Sequence, residues 1–203
     1  MAYLDNTIKK YLDDLSAKIP APGGGSVAAL TGALGCGLLL MVANYTYGKE
    51  KYKQYEADIF EMIKSLEELK SKFSRLVDED VSAYSELSAA LKTKDEAVAQ
   101  DALKKALRVP LEVSEASMTG MDFAQELVGK GNTNLVTDTG IAAILFESAF
   151  LSGKLNVDIN LAQIKDAQFK NKITESLKRL EKDIRAKKEG VLKGADKIIT
   201  KGN

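Results

Sequence analysis

Residues 20–47 read PAPGGGSVAALTGALGCGLLLMVANYTY, and the reading of this stretch decides the fold. Pro20 and Pro22, followed by Gly23, Gly24 and Gly25, predict a segment that is not helical. Proline lacks the amide hydrogen, and glycine loses the most backbone freedom on ordering. Ser26 is then expected to N-cap an apolar helix reaching about Tyr47. Residues 27–43 are apolar or small throughout, but they include Thr31 and three glycines. They also fall short of the roughly 20 residues that span a bilayer, so a buried core helix is expected. Gly32, Ala33, Gly35 and Gly37, with Ala28 and Ala29, leave one side of that helix very small. A second backbone can approach closely there, within a bundle or across a dimer seam. Cys36 lies inside this run and reads as a small buried hydrophobe.

Outward from this helix the pattern stays helical. Leu4, Ile8, Tyr11, Leu12 and Leu15 recur at helical spacing and predict a short amphipathic first helix. Ile59, Ile63, Leu66, Leu69, Phe73 and Leu76 predict a long helix over about 55–92. Another is expected over about 94–130, kinked at Pro110 or broken with a new helix starting there. Gly131-Asn132-Thr133-Asn134 is turn chemistry, and an apolar helix is predicted over about 138–152. Lys154 to Leu161 alternates briefly, which reads as extended chain or as a continuation of that helix. Asp166 is placed to cap a final charged helix ending near Ile199. The expectation is a single all-α domain over 1–203, a bundle of long antiparallel helices.

Composition narrows function. The chain has 29 Lys or Arg and 29 Asp or Glu, so nothing in its bulk charge draws it to nucleic acid or an acidic membrane. Positions 165–201 hold 12 basic against 6 acidic residues, which reads as a solvated helix face. One cysteine gives no disulfide framework, and the N-terminus carries no secretory pattern, so a cytoplasmic location is expected. Histidine is absent. Imidazole acid–base catalysis, Ser-His-Asp systems and His-based metal sites are therefore excluded. Catalysis here must use carboxylates, lysine, tyrosine, amides and helix ends.

The glycine triplet has two readings. Bare amides at a helix N-terminus can face an anion or carbonyl group, or the helix can be packed too tightly there for any Cβ. It is neither a phosphate-binding Walker loop nor a dinucleotide fingerprint, because the lysine and the preceding strand are missing.

Residues 20–29, together with Met41-Val42-Ala43-Asn44-Tyr45-Thr46-Tyr47-Gly48-Lys49, resemble the opening of the cyclodeaminase/cyclohydrolase family of tetrahydrofolate enzymes. The likeness continues through Leu76-Val77-Asp78-Glu79-Asp80 with Tyr84, and through Val109-Pro110-Leu111. It resumes at Gly131-Asn132 with Thr137-Asp138, and at Asn156-Val157 with Ile159-Asn160-Leu161. The resemblance implies an all-helical homodimer that binds a folate substrate with no other cofactor and no metal. It also leaves room for docking onto other folate enzymes. Two reactions are implied. The first is hydrolysis of 5,10-methenyltetrahydrofolate to the 10-formyl compound. The second is ammonia release from 5-formiminotetrahydrofolate. The chain as a stand-alone domain resembles the cyclohydrolases somewhat more.

Both reactions need proton transfer at a tetrahedral carbon and stabilisation of an amidine-like cation, which a carboxylate can supply. Asp138, at an expected helix start and matching the family's aspartate, is the leading catalytic candidate, though a plain N-cap has the same sequence signature. Asp80 is the second, paired with Tyr84 one turn away on the same face. Substrate-binding candidates are Pro22, Gly23, Gly24, Gly25 and Ser26 in the loop, with Asn44, Tyr47 and Lys49 at the end of the small-residue helix. Asn132 and Asn134 in the polar turn join them, and the resemblance adds Asn156 and Asn160. The contrasting reading is a non-catalytic helical interaction module that uses the small-residue helix as a seam.

Overall fold

The computed structural model describes residues 3–201. Seven α-helices carry the chain, with no strand among the described residues: α1 (Ile8–Ser16), α2 (Gly24–Thr46), α3 (Glu56–Lys92), α4 (Glu96–Ala106), α5 (Arg108–Lys130), α6 (Val136–Gln163) and α7 (Ala167–Lys201). Short 3-10 turns lie at Tyr3–Asp5, Glu50–Tyr55 and Thr133–Leu135.

α2 is the axis of the bundle, packed by α3, α6 and α5. Two of its glycines, Gly32 and Gly35, are seats for aromatic rings. A Cβ at Gly32 would lie 2.5 Å from Cζ of Phe73 on α3, and one at Gly120 of α5 would lie 2.7 Å from Cδ1 of Phe146 on α6. Phe146 also rests on Gly35, and the Phe73 and Phe146 rings stack with centroids 6.4 Å apart. Gly32 and Gly35 thus pack within the bundle, while a Cβ at Gly37 would meet nothing within 4 Å. Cys36 is fully buried, and burial pushes its thiol up to about 12, so it is chemically silent.

Several boundaries differ from expectation, each for a visible reason. The N-cap of α2 is Gly23, not Ser26. Gly24 and Gly25 are already helical, and a carboxylate from another helix accepts the amide of Ser26 itself, the third residue of α2. In α1 only Tyr11 is buried, while Ile8 and Leu12 are exposed. Of the two expectations at Pro110, the break holds, because a new helix starts beside it. The break comes at Leu107, and Pro110 sits in the first turn of α5, where its missing N–H is not needed. The alternating stretch 154–161 continues α6 to Gln163. Val157 and Leu161, one turn apart, enter the core while Leu155 and Ile159 face outward. Asp166 caps α7 as expected, accepting from the Phe169 amide at 3.0 Å.

α2, at 23 residues, and the stretch Thr133–Gln163 are both long and apolar enough to cross a bilayer. The length argument made from the sequence therefore does not hold for α2. What accounts for its apolarity is its place at the centre of the bundle.

Candidate active site

α3 runs antiparallel to α2 and outreaches it, so its last turns form a wall beyond the α2 N-terminus. Three acids meet that end differently. Asp78 accepts the Tyr3 amide at 2.8 Å, Glu79 pairs with Arg75 on the surface, and Asp80 points at the start of α2. Its Oδ2 accepts the Ser26 amide at 2.9 Å. The carboxylate lies directly over the Cα of Gly25. A Cβ there would overlap it, with Cγ at 2.6 Å and Oδ2 at 2.9 Å. Gly25 is therefore glycine because Asp80 occupies the space of a side chain.

Beneath this contact, Ser26 is fully buried and its hydroxyl lies 3.1 Å from the Tyr11 hydroxyl of α1. Tyr11 packs edge-on against Tyr3, whose own hydroxyl donates to the Ala21 carbonyl. These links from α1 and the 3-10 turn before it pin the loop before α2. Burial raises the pKa of Asp80 above the ordinary carboxylate value, and the Ser26 amide only partly offsets this. A carboxylate held this way is a better proton acceptor than a solvated one.

A cavity of about 400 Å³ opens over this carboxylate, within the size range of small-molecule sites. Gly23, Gly24 and Gly25 form one side, and Asp80 and Tyr84 another. Asn156 and Asn160 of α6 form the third. Each asparagine donates its amide nitrogen back to its own helix, to Ser152 and Asn156 carbonyls respectively, which leaves the amide oxygen spare for a ligand. Apolar walls come from Leu87, Leu91, Pro110 and Ile159. A second cleft of about 680 Å³ shares Pro20, Ala21 and Tyr84 with the first and continues to Lys92. Among the described residues no three Cys, Asp or Glu side chains gather as a metal site.

Seven of the sequence candidates thus line one cavity: Gly23, Gly24, Gly25, Asp80, Tyr84, Asn156 and Asn160. Pro22 and Ser26 are buried behind it. Asn44, Tyr47, Lys49, Asn132, Asn134 and Asp138 do not line it. They belong to the opposite end of α2, where the Asn132 amide hydrogen reaches Thr46 and its side chain reaches the Tyr45 carbonyl. Tyr47 stacks on Phe60 there. The expectation that Asp138 and the glycine segment converge is not met within one chain, because α6 is antiparallel to α2 and Asp138 lies in its first turn. Sequence reasoning missed Tyr11, which looked like one more apolar position, and the α3 wall residues Leu87 and Leu91.

Residues 7–179 match the formiminotransferase-cyclodeaminase family. The chain belongs to this family. It is 36% identical to a methenyltetrahydrofolate cyclohydrolase from Methylorubrum extorquens over 87% of this chain and 88% of that one. It is 31% identical to the formimidoyltransferase-cyclodeaminase of Rattus norvegicus, again over 87% of this chain but only 34% of that protein. The chain therefore spans about a third of the length of such two-part relatives. The crystal structure of a formiminotetrahydrofolate cyclodeaminase from Thermotoga maritima superposes with a TM-score of 0.92 at 33% identity, covering 96% of this chain and 98% of that one. The family members named here are enzymes, so the interaction-module reading gives way to a catalytic one.

Proposed function

We propose that this chain is a 5,10-methenyltetrahydrofolate cyclohydrolase, acting in the cytoplasm as a homodimer. The observation that carries the reading is Asp80, a desolvated carboxylate held over the bare backbone of Gly25 at the base of a pocket. It stands in a chain similar along nearly its whole length to a protein of that name.

The reduced pterin occupies the smaller cavity, its amino edge facing the spare amide oxygens of Asn156 and Asn160. The aminobenzoyl arm leaves past Tyr84 along the second cleft, and Lys92 meets the carboxylates of the glutamate tail. Asp80 faces the cationic bridge carbon. Its negative charge stabilises the amidinium and orients a water molecule. As water adds to that carbon, Asp80 accepts the water proton, giving a neutral carbinolamine. The proton then passes to N5 as the C–N5 bond breaks, the hydroxyl loses its own proton, and the carbon remains on N10 as a formyl group. One water is consumed and one proton released in total. The same carboxylate could serve ammonia release from the formimino compound, which is why both substrates belong in the test.

The test follows loss of the near-ultraviolet absorbance of 5,10-methenyltetrahydrofolate, with ammonia measured from 5-formiminotetrahydrofolate in parallel. Turnover of the first well above the second is expected. Ammonia release as the faster reaction would reassign the chain to the cyclodeaminases, and background rates on both would reject the assignment.

A further inference from the structure

Tyr11 is the one residue that α1 buries, and its polar end reaches the start of α2. The hydroxyl lies 3.1 Å from Oγ of Ser26, which is fully buried. Buried hydroxyls elsewhere in the bundle behave differently. Thr46, Ser114 and Ser117 each donate to the carbonyl four residues back on their own helix, which satisfies them without help from another element. Ser26 stands at the third position of α2, so the carbonyl four residues back belongs to Pro22, outside the helix. It takes a side chain from α1 instead.

The hydrogens of this pair can be counted. Two hydroxyls hold two hydrogens, and the bond between them uses one. The field of Asp80 decides which. Its carboxylate already holds the Ser26 amide at 2.9 Å, and it is the only charged side chain that lines the cavity. Every other lining residue, from the loop before α2 and from α2, α4, α5 and α6, is uncharged. The remaining titratable groups facing Asp80 are Tyr84, on its own helix, and Tyr11. The charged residues of α1 pair among themselves, Lys9 with Asp13 and Lys10 with Asp14. Burial pushes the Tyr11 phenol above its ordinary value, the Ser26 bond offsets this in part, and the charge of Asp80 raises it again. The phenol therefore stays protonated at neutral pH. A negative charge draws the positive end of each O–H dipole toward itself. Tyr11 thus donates to Ser26, and the serine hydrogen turns toward the carboxylate.

We propose that Tyr11 is a positioning residue for the reaction. Through Ser26 it fixes the start of α2, and a line of O–H dipoles, against Asp80, so that the carboxylate meets the bridge carbon in one orientation. Tyr11 itself does not line the cavity. The inference rests on Asp80 being the proton acceptor, and it makes α1, whose Ile8 and Leu12 lie in solvent, part of the catalytic apparatus.

The experiment compares Tyr11→Phe, Ser26→Ala, the double variant and Leu15→Ala. Phenylalanine keeps the buried ring and its edge contact with Tyr3 and removes only the hydroxyl. Leu15 packs against the core from the same helix, so Leu15→Ala loosens α1 without touching the pair. On methenyltetrahydrofolate, Tyr11→Phe is expected to lose about three- to tenfold in kcat with KM within about twofold, as for a reacting group held less firmly. Losing a dipole that favours the charged carboxylate raises its pKa, so the acid limb of the kcat/KM profile should move up by about half a pH unit. Ser26→Ala should do the same, and the double variant no more than Ser26→Ala alone. Leu15→Ala should lower the urea midpoint and leave the acid limb in place. Additive losses in the double variant, an unmoved acid limb in Tyr11→Phe, or an equal movement in Leu15→Ala overturns the proposal and leaves Tyr11 as packing. If Tyr11→Phe does not fold, Ser26→Ala carries the acid-limb prediction in its place. A readout without turnover separates this inference from the folate assignment. The Asp80 carboxyl carbon, assigned by its loss in Asp80→Asn, is titrated by NMR, and its midpoint should rise in Tyr11→Phe by the same amount. That rise, in a protein whose wild type turns over neither folate, would sink the folate assignment and leave the role of Tyr11 standing. An unchanged midpoint beside normal wild-type turnover would do the reverse.

Discussion

Replacing Gly25 with alanine puts a methyl group where the Asp80 carboxylate rests. Cγ would lie 2.6 Å from the new Cβ, and ordinary contact begins at 3.4 Å, so the carboxylate must retreat by about 0.8 Å or more. It then loses the 2.9 Å bond from the Ser26 amide. A buried amide left unsatisfied costs about 1–3 kcal/mol, part of which the better helix propensity of alanine, up to ~1 kcal/mol, offsets. Net destabilisation of about 0–2 kcal/mol is expected, readable as a shift in urea midpoint. Catalysis suffers more, because misplacing a reacting group by roughly 1 Å costs about 10²-fold in rate. Gly24→Ala is the comparison. Its Cβ would lie 3.6 Å from Nδ2 of Asn156, an ordinary contact, so its loss in kcat/KM should stay below about tenfold. The two variants, assayed side by side on methenyltetrahydrofolate with midpoints measured in parallel, separate stability from chemistry. Gly25→Ala keeping more than about a third of wild-type kcat/KM, or falling no further than Gly24→Ala, would refute the placement of Asp80 over that backbone.

Asp80→Asn should abolish turnover yet cost little stability at neutral pH. The folded pKa of Asp80 is raised above 3.8. Its contribution to stability is therefore full below that value and lost as pH rises through the folded pKa. Urea midpoints should show wild type losing ground to the variant between pH 4 and pH 7, and a gap that moves the other way would contradict the sign. Gly120→Ala drives a methyl into the Phe146 ring and should destabilise by about 1–3 kcal/mol. Adding Phe146→Leu should recover part of that loss, so additive losses in the double variant would argue against the contact. Cys36, pushed to about 12 and fully buried, should resist a thiol reagent in the native protein at pH 8 and react once urea unfolds it.

The helical bundle was legible because period and punctuation agree. The three-and-four spacing from Ile59 to Leu76 marks a face of α3 that the structure buries. The polar turn at 131–134 marks a real reversal. Local pattern failed where a distant residue supplied the missing partner. Ser26 looked like a cap because nothing near it in sequence revealed that Asp80, 54 residues away, would take that amide. The stretch 154–161 read equally as extended chain or as more helix, because its alternating apolar residues are split between the core and the outer face of α6. The candidate site was half legible for a related reason. Residue types and motifs identify which groups take part, but only the antiparallel run of α6 along α2 shows that they fall into two sets at opposite ends.

The ring of Phe146 touches a glycine on α2 and another on α5 while itself belonging to α6. Three segments far apart in the chain are thereby tied to one volume, and none can gain or lose a carbon without the others yielding. In a lineage of such proteins, positions 35, 120 and 146 should therefore drift together: a smaller side chain at 146 licenses alanine or serine at the glycines. A single exchange at any one of the three should appear only beside its compensation.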